Sequence, residues 1–155
     1  MSSLPAAIVD TIRRHVAALS SSGATDLLET AAVVGDSFSP RQLSEMLSRD
    51  VGEVLSWLGA FATQGLLTPL PDGTGYRFRH DLVREGLLQS MPPVRSMQLH
   101  ARVGELLEER YGGSAPDHAT ELLMHFECAA PLTGPQPARR YAALAARAAT
   151  AQHAY

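Results

Sequence analysis

Hydrophobic residues recur every three or four positions through the first third of the chain, which predicts consecutive amphipathic helices. The first predicted helix runs from Leu4 to Leu19, and the serines and glycine at 20–23 are expected to end it. Ser39 and Asp50 are candidate N-caps, because their side-chain oxygens can accept from unbonded helix amides. Three further helices are predicted over this region: 25–34, 40–47 and 50–65.

The hydrophobic period shortens to two residues over 66–79, which predicts a β-hairpin in place of a helix. Residues 66–70 are apolar, 71–75 combine proline, aspartate and glycine in strong turn chemistry, and 76–79 alternate aromatic and basic side chains. A two-stranded hairpin is marginally stable alone, so it must pack on the preceding helices. No other strand is expected.

The rest of the chain returns to helical spacing. Asp81 is predicted to begin a helix that the prolines at 92–93 stop, and a long amphipathic helix is expected over 94–111. Small side chains in the last helix should let antiparallel helices approach closely, as in helical repeats, at Ala142, Ala145 and Ala149. The remaining predicted segments are a helix from Pro116 through Phe126, a proline-rich loop over 131–137 and a helix over 138–155.

This order of elements predicts a mainly α protein in three parts. Residues 1–19 form an N-terminal linking helix. Residues 20–93 place three helices before a hairpin, which is the pattern of a winged helix-turn-helix domain. Residues 94–155 are predicted to form antiparallel helical hairpins, the start of a TPR-like repeat region, although no period of about 34 residues runs through the chain.

Composition and charge narrow the function classes. The 155 residues are 45% hydrophobic and 19% charged, which is a globular composition. A net charge of −3 disfavours binding to nucleic acid or a membrane through the whole surface. The single cysteine, Cys128, allows no intrachain disulfide and favours a reducing compartment. Without an apolar run of about 20 residues or a signal-peptide layout, a cytoplasmic protein is expected.

Four stretches of the sequence carry a resemblance to a known family: "LPAAIVDTIRRHVAALS", "DLLETAAVVGDSF", "LSWLGAFATQGLLTPL" and "YRFRHDLVREGLLQSMPPVRSMQLH". They resemble the large LuxR-type regulators of actinobacteria, which belong to the STAND class of signal-transducing P-loop ATPases. The resemblance covers residues 4–112 well and 115–155 more loosely. In that class a nucleotide-binding domain is followed by a helical segment, a winged-helix domain and a helical-repeat sensor.

The resemblance implies a role for the junction that follows the hairpin. It implies that His80, between Arg79 and Asp81, touches the β-phosphate of ADP in the intact regulator and thereby holds the closed state. An imidazole beside a helix N-terminus suits a phosphate, while a local hydrogen bond that closes the hairpin is equally open. Arg77, Arg79 and Arg84 form a basic cluster that can meet phosphates or an acidic domain face, with a solvated strand face as the plainer alternative for Arg77.

One departure from the class decides the expected chemistry. The P-loop signature G-x-x-x-x-G-K-[ST] needs a lysine, and all 13 basic residues of this sequence are arginine. We therefore expect a non-catalytic regulatory module, either an excised middle segment or a stand-alone relic, with ADP or ATP bound by the intact protein and no cofactor of its own. The expected partners are a neighbouring nucleotide-binding domain of the same polypeptide and, through an exposed former interface, a second copy.

A DNA-binding winged-helix regulator is the alternative from another class. In such folds the third helix enters the major groove. Here that helix, over 50–65, carries only Asp50 and Glu53 as charges, and no arginine occurs between Arg49 and Arg77. It lacks the cations that hold phosphates and read guanine, so direct nucleic-acid binding by this segment is not expected. An electropositive face on this helix would revive the alternative.

The histidines and the cysteine do not form a pattern that indicates a metal site or a nucleophilic site. His125 and Cys128 stand three apart on one helix face, but a structural zinc needs two more ligands. Cys128 has no evident base to activate it. Glu108 and Glu109 are expected to form an ordinary solvated helix end. The sequence thus predicts neither a metal site nor catalytic residues.

Overall fold

In the computed structural model, the residues described are 10, 14, 22–112 and 116–153. Asp10 and Arg14 are helical, and the rest of the predicted linking helix at 1–19 lies outside the described residues. The described chain is mainly helical with one small three-stranded antiparallel sheet. None of its helices is both long and apolar enough to cross a membrane. The chain divides into two compact units between Met91 and Pro92, where the sequence predicts a boundary at 93–94.

The first unit contains four described helices and the sheet. The two N-caps predicted from the sequence, Ser39 and Asp50, are confirmed. The Ser39 hydroxyl accepts from the Gln42 amide at 3.1 Å, and a carboxylate oxygen of Asp50 accepts from the Gly52 amide at 3.0 Å. In chain order the elements are α1 (Ser22–Val34), β1 (Ser37–Phe38), α2 (Pro40–Leu47), α3 (Val51–Thr63), β2 (Leu67–Pro69), β3 (Tyr76–Phe78) and α4 (Asp81–Ser90).

The predicted break at 20–23 is wrong at its end, because Gly23 belongs to α1. A Cβ at Gly23 would lie 2.6 Å from the Trp57 ring on α3, so glycine here allows close approach rather than a turn. Ser20 and Ser21 lie outside the described residues.

Strand β1 is the element that sequence reasoning missed. It pairs antiparallel with β3, with Phe38 opposite Tyr76, and makes the strand order β1–β3–β2. Phe38 is buried and contacts Phe78 edge to face, with ring centroids 5.5 Å apart. A Cβ at Gly75 would overlap the Phe38 carbonyl, so the strands meet closely there. The expectation of no strand beyond the hairpin is therefore wrong, because two residues are too few to show an alternating pattern.

The hairpin itself forms where the sequence predicts it. Leu67 lies opposite Phe78 in the antiparallel pair of β2 and β3. At the turn, the Thr74 hydroxyl and amide donate to the same Asp72 oxygen at 2.6 and 3.0 Å. The hydroxyl bond first, and then the amide bond, hold the pKa of Asp72 below its ordinary value. This Asx-type contact stabilises the tip of the hairpin.

The sheet and the helices of the first unit share one apolar core. Its side chains come from all four helices and from each strand, which is how the hairpin gains the support that it lacks alone. The buried members are Ala24, Leu27, Leu28, Ala31, Ala32, Phe38, Leu43, Val54, Leu58, Phe61, Leu66, Leu67, Phe78 and Leu87.

The second unit is entirely helical among the described residues. It contains α5 (Pro93–Tyr111), a 3₁₀ turn (Pro116–His118), α6 (Ala119–Thr133) and α7 (Gln136–His153). Helix α6 packs against both α5 and α7. The interior of the second unit contains mostly apolar side chains from all three helices, namely Leu99, Val103, Leu107, Ala119, Leu122, Phe126, Ala129, Ala138 and Tyr141.

The predicted loop at 131–137 is wrong, because only Gly134 and Pro135 separate α6 from α7. Pro131 lies inside the last turn of α6, and the Gly134 amide still donates to Ala130 at 2.8 Å. A proline there removes only its own amide bond. Pro137 stands in the first turn of α7, where an amide has no helical partner to lose.

The predicted close approach at three alanines is also wrong. Ala142 and Ala149 are exposed and Ala145 is half-buried. The close approach occurs instead between Gly104 on α5 and Phe126 on α6, because a Cβ at Gly104 would lie 3.0 Å from the Phe126 ring. A missing side chain, rather than a row of small ones, brings these helices together.

Candidate functional site

The junction between β3 and α4 holds the three residues that the resemblance singled out. The Arg79 amide donates to the Leu66 carbonyl at 3.0 Å, which extends the hairpin pairing past the end of β3. The His80 carbonyl accepts from the Val83 amide at 3.0 Å, which begins α4. The backbone of His80 is therefore held from the sheet on one side and from the helix on the other, in an extended conformation.

The side chains at this junction are exposed. His80, and not Asp81, occupies the N-cap position of α4, and its imidazole makes no cap hydrogen bond. Asp81 is the first helical residue, where the sequence predicts that this helix begins, and it therefore does not cap the helix, although its place beside His80 made it a second candidate for that position. A carboxylate in that first turn still interacts favourably with the helix dipole.

A surface cavity of about 310 Å³ lies beside the junction. Its walls combine two carboxylates, one guanidinium and one hydroxyl with two apolar residues, namely Asp36, Ser37, Leu70, Arg77, Phe78 and Asp81. Of the predicted trio, only Asp81 lines this cavity. Arg79 is not among its walls, and its Nη1 lies 3.6 Å from the position of a Cβ at Gly65. The three predicted residues are thus contiguous in sequence, but the structure does not gather them around one cavity.

The predicted basic cluster is divided in the same way. Arg77 is exposed on β3, where it lies between Ser37 of β1 and Thr68 of β2. Arg84 is turned inward, since its Nε donates to the Ala32 carbonyl at 2.9 Å. That carbonyl belongs to the last turn of α1, where a cation is favourable.

Arg84 also faces Asp36, with 3.5 Å between Nη1 and Oδ1. The Arg84 side chain is 26% exposed and the Asp36 side chain 84% exposed, so the ion pair itself contributes little. The contact to the α1 carbonyl is the more informative one, because it connects α4 to the end of α1. Arg84 is therefore engaged within the first unit.

Helix α3 presents a surface without cations. Its exposed residues are Val51, Gly52, Glu53, Leu55, Ser56 and Thr63. Arg49 precedes the helix, lies 3.4 Å from Glu53 and sits over the Trp57 ring at 5.6 Å from its centroid. The arginine nearest to this helix is thus held against neighbouring side chains of its own unit.

His125 and Cys128, considered together as metal ligands from the sequence, lie in different environments. Cys128 is exposed, and burial of part of its thiol, followed by the charge of Glu127, raises its pKa. A raised pKa leaves less thiolate, which is the opposite of activation. His125 is buried and its Nδ1 lies 2.9 Å from Nδ1 of His100. No group of three or more potential metal ligands occurs in the part of the chain that the structure describes.

Two polar contacts of the second unit escaped sequence reasoning. The His100–His125 pair joins residues 25 positions apart, and no local pattern indicates it. Glu108, expected to be solvated, accepts from the Tyr141 hydroxyl and from Arg140, each at 2.6 Å. Burial and the Glu108 contact raise the pKa of Tyr141. These contacts link α5 with α6 and with α7.

Comparison of the chain with protein families, curated proteins and solved structures found no match.

Proposed function

We propose that this chain is a non-catalytic regulatory module of a STAND-type, LuxR-like transcriptional regulator that works in the cytoplasm. It couples the ADP or ATP state of a neighbouring nucleotide-binding domain in the same polypeptide to a helical-repeat sensor. The first unit serves as a winged-helix domain, and the second unit as the beginning of the TPR-like repeats.

The observation that carries the proposal is the environment of His80. The imidazole is exposed and makes no cap bond, while its backbone is held by the sheet and by α4. An exposed imidazole on a fixed backbone can donate a hydrogen bond to a phosphate in another domain, and the domain that carries the imidazole need not rearrange. The imidazole makes no bond to the first turn of α4. This favours an interdomain role for the side chain over the alternative of a local hydrogen bond that closes the hairpin.

A route from His80 into the rest of the module follows from its position at the start of α4. Arg84, one turn further along α4, donates a hydrogen bond to the Ala32 carbonyl at the end of α1. In this proposal a displacement of α4 at His80 is therefore transmitted to α1. Only Met91 and Pro92 separate α4 from α5 along the chain. A contact between His80 and ADP that exists in only one of two global states biases the equilibrium between those states.

The element order agrees with the proposed domains. A helix, a short strand, two helices and a hairpin are the elements of a winged helix-turn-helix, and β1 is a brief pairing at a helix junction. Consecutive packed helices in the second unit suit the start of a repeat array.

The surface of α3 supports the regulatory role over the DNA-binding alternative. A helix that reads the major groove needs cations for phosphates and donors for base edges. The exposed side of α3 carries Glu53 with Val51 and Leu55, and Arg49 is engaged with Glu53 and Trp57. An apolar and slightly acidic face fits a protein partner better than a polyanion.

Nucleotide calorimetry tests the proposal at two levels. The chain alone should hydrolyse no ATP above background and bind ADP weakly or not at all, since one histidine and a few arginines provide little of a nucleotide site. The polypeptide encoded by the full reading frame should bind ADP tightly. His80→Ala should weaken that binding roughly ten- to a hundredfold, the effect of about 1.5–3 kcal/mol for a hydrogen bond to a charged group.

The matched control is His153→Ala, which removes an exposed histidine from α7. It should leave ADP affinity unchanged. Micromolar ADP binding by the chain alone, or equal affinity of the His80→Ala and unaltered full-length proteins, would contradict the proposal.

A further inference from the structure

Two imidazoles meet inside the second unit. His100 on α5 is 9% exposed and His125 on α6 is 0% exposed, and their Nδ1 atoms lie 2.9 Å apart. The rings are tilted by 42° with centroids 5.2 Å apart. Among the described residues, the other buried side chains with a polar atom include those of Thr30 and Tyr141. A pair of titratable rings therefore occupies a helix interface that aliphatic side chains ordinarily fill.

The geometry of this pair limits how many protons it can hold. A contact of 2.9 Å between two Nδ1 atoms is a hydrogen bond only when one nitrogen carries a proton and the other does not. One further proton can enter on the Nε2 side of the donor ring without disturbing that bond. A second further proton would place N–H against N–H and two like charges together, which the contact cannot accommodate.

Two titratable residues, Glu121 and Cys128, stand about one turn from His125 on α6. On the His125 side of α6, Glu121 lies 3.9 Å from Nδ1 of His118 in the 3₁₀ turn. Cys128, one turn after His125, is exposed, and its raised pKa keeps the thiol neutral.

On α5, Glu108 follows His100 by about two turns and is bonded to Tyr141 and Arg140 of α7. No third histidine, cysteine or carboxylate within the described ranges forms a metal-binding group with the two rings.

We propose that the His100–His125 pair makes the packing of α5 on α6 sensitive to acid. In the unfolded chain both imidazoles take up protons near pH 6.5, whereas the folded pair accepts at most one. The unfolded state then binds more protons, so the stability of the second unit is full above about pH 6.5 and falls as the pH drops below it. The proposal does not depend on nucleotide sensing, and either can fail without the other.

Denaturant unfolding of the full chain at pH 7.5, 6.0 and 5.0 tests the proposal. Trp57 is the single tryptophan and lies in α3, so its fluorescence reports the first unit, while circular dichroism reports the helices of both units. The test variant is His100→Asn, because an amide can take the place of Nδ1 in the hydrogen bond and cannot be protonated. The control is His153→Asn, on the exposed end of α7.

Below pH 6, the unfolding constant of the second unit should rise about tenfold more per pH unit in the unaltered chain than in His100→Asn. The Trp57 transition should be equal in both proteins, and His153→Asn should behave as the unaltered chain. Equal pH slopes for the unaltered chain and His100→Asn would overturn the proposal.

Nitrogen-15 NMR of the unaltered chain provides a second test that needs no folded variant. At pH 7.5 one buried ring should carry its proton on Nδ1, and its partner should have a bare Nδ1. Two rings that both become imidazolium at pH 5.0, while the second unit stays folded, would contradict the proposal.

Discussion

The two units differ in where their histidines lie: at the surface of the first unit at position 80, and inside the second unit at positions 100 and 125. Among the described residues of the first unit, the buried side chains are apolar apart from Thr30. The histidine and arginines at the β3–α4 junction, His80, Arg77 and Arg79, are exposed. In the second unit two histidines and a hydrogen-bonded tyrosine lie in the interior. The same residue type therefore occupies solvent in one unit and a helix interface in the other.

This difference separates two kinds of role. An exposed side chain such as His80 can change partners between states at little cost to the fold, so its replacement should alter function and leave stability intact. A buried polar pair must be satisfied inside the fold, so its replacement or protonation should alter stability first. The following experiments sharpen or break that comparison.

The largest expected effect concerns the close approach of β1 and β3 in the first unit. Gly75→Ala places a Cβ against the Phe38 carbonyl, so β1 must separate from β3 and the unit should lose about 1–3 kcal/mol or more. Gly59→Ala is the matched control, because nothing lies within 4 Å of the added Cβ on α3. It should stabilise the helix by about 0.5–1 kcal/mol. Trp57 fluorescence during urea unfolding measures both changes, and a neutral Gly75→Ala would refute the pairing of β1.

A smaller effect is expected from the polar interior of the second unit. Tyr141→Phe removes the hydroxyl that donates to Glu108 at 2.6 Å. The Glu108 side chain is 34% exposed, so solvent screens its charge. The free energy of unfolding should therefore fall by about 0.5–1.5 kcal/mol. A double-mutant cycle with Glu108→Gln, followed by circular dichroism, should show coupling between the two positions. Additive losses would mean that the contact does not stabilise this unit, and the contrast with the first unit would weaken.

The smallest effect concerns an exposed side chain of the second unit that should be chemically inert. Burial of part of its thiol, with the charge of Glu127, raises the pKa of Cys128, so less thiolate is present at pH 8 than in an unfolded chain. A thiol reagent should therefore label the folded chain more slowly than the urea-unfolded chain. The difference should shrink as the pH rises, because thiolate then forms in both states. Faster labelling of the folded chain would identify an activated cysteine and a functional surface in the second unit.

Sequence reasoning succeeded where the determinants are local. Ser39 and Asp50 each bond an amide two or three residues away, and the hairpin turn is stabilised by Asp72 and Thr74 alone. Such short-range chemistry is visible in any window of a few residues. The existence of most helices, the two caps at Ser39 and Asp50 and the hairpin could therefore be predicted, whereas the bounds of α1, α6 and α7 could not.

The failures share the opposite property. Strand β1 exists because Phe38 pairs with Tyr76, and the His100–His125 contact joins two helices across 25 positions. Arg84 was placed in a basic surface cluster, yet it bonds Ala32, which lies 52 positions earlier. These contacts depend on tertiary packing, and the residues around each partner carry no trace of the other. At the candidate site, the position of His80 between strand and helix was predictable, whereas the separate directions of Arg79, Asp81 and Arg84 were not.

We propose above that His80 acts outside its own unit, and transcript profiling of the host tests this proposal most directly. The host strain should carry His80→Ala at the native locus, and the comparison should be made without inducer at equal levels of the regulator. We expect the genes under its control to rise, because loss of the contact to ADP releases the closed state, while urea unfolding of the His80→Ala chain stays within about 0.5 kcal/mol of the unaltered chain. An unchanged transcript profile, or a loss of several kcal/mol in stability, would contradict the claim and make His80 a structural residue of the junction.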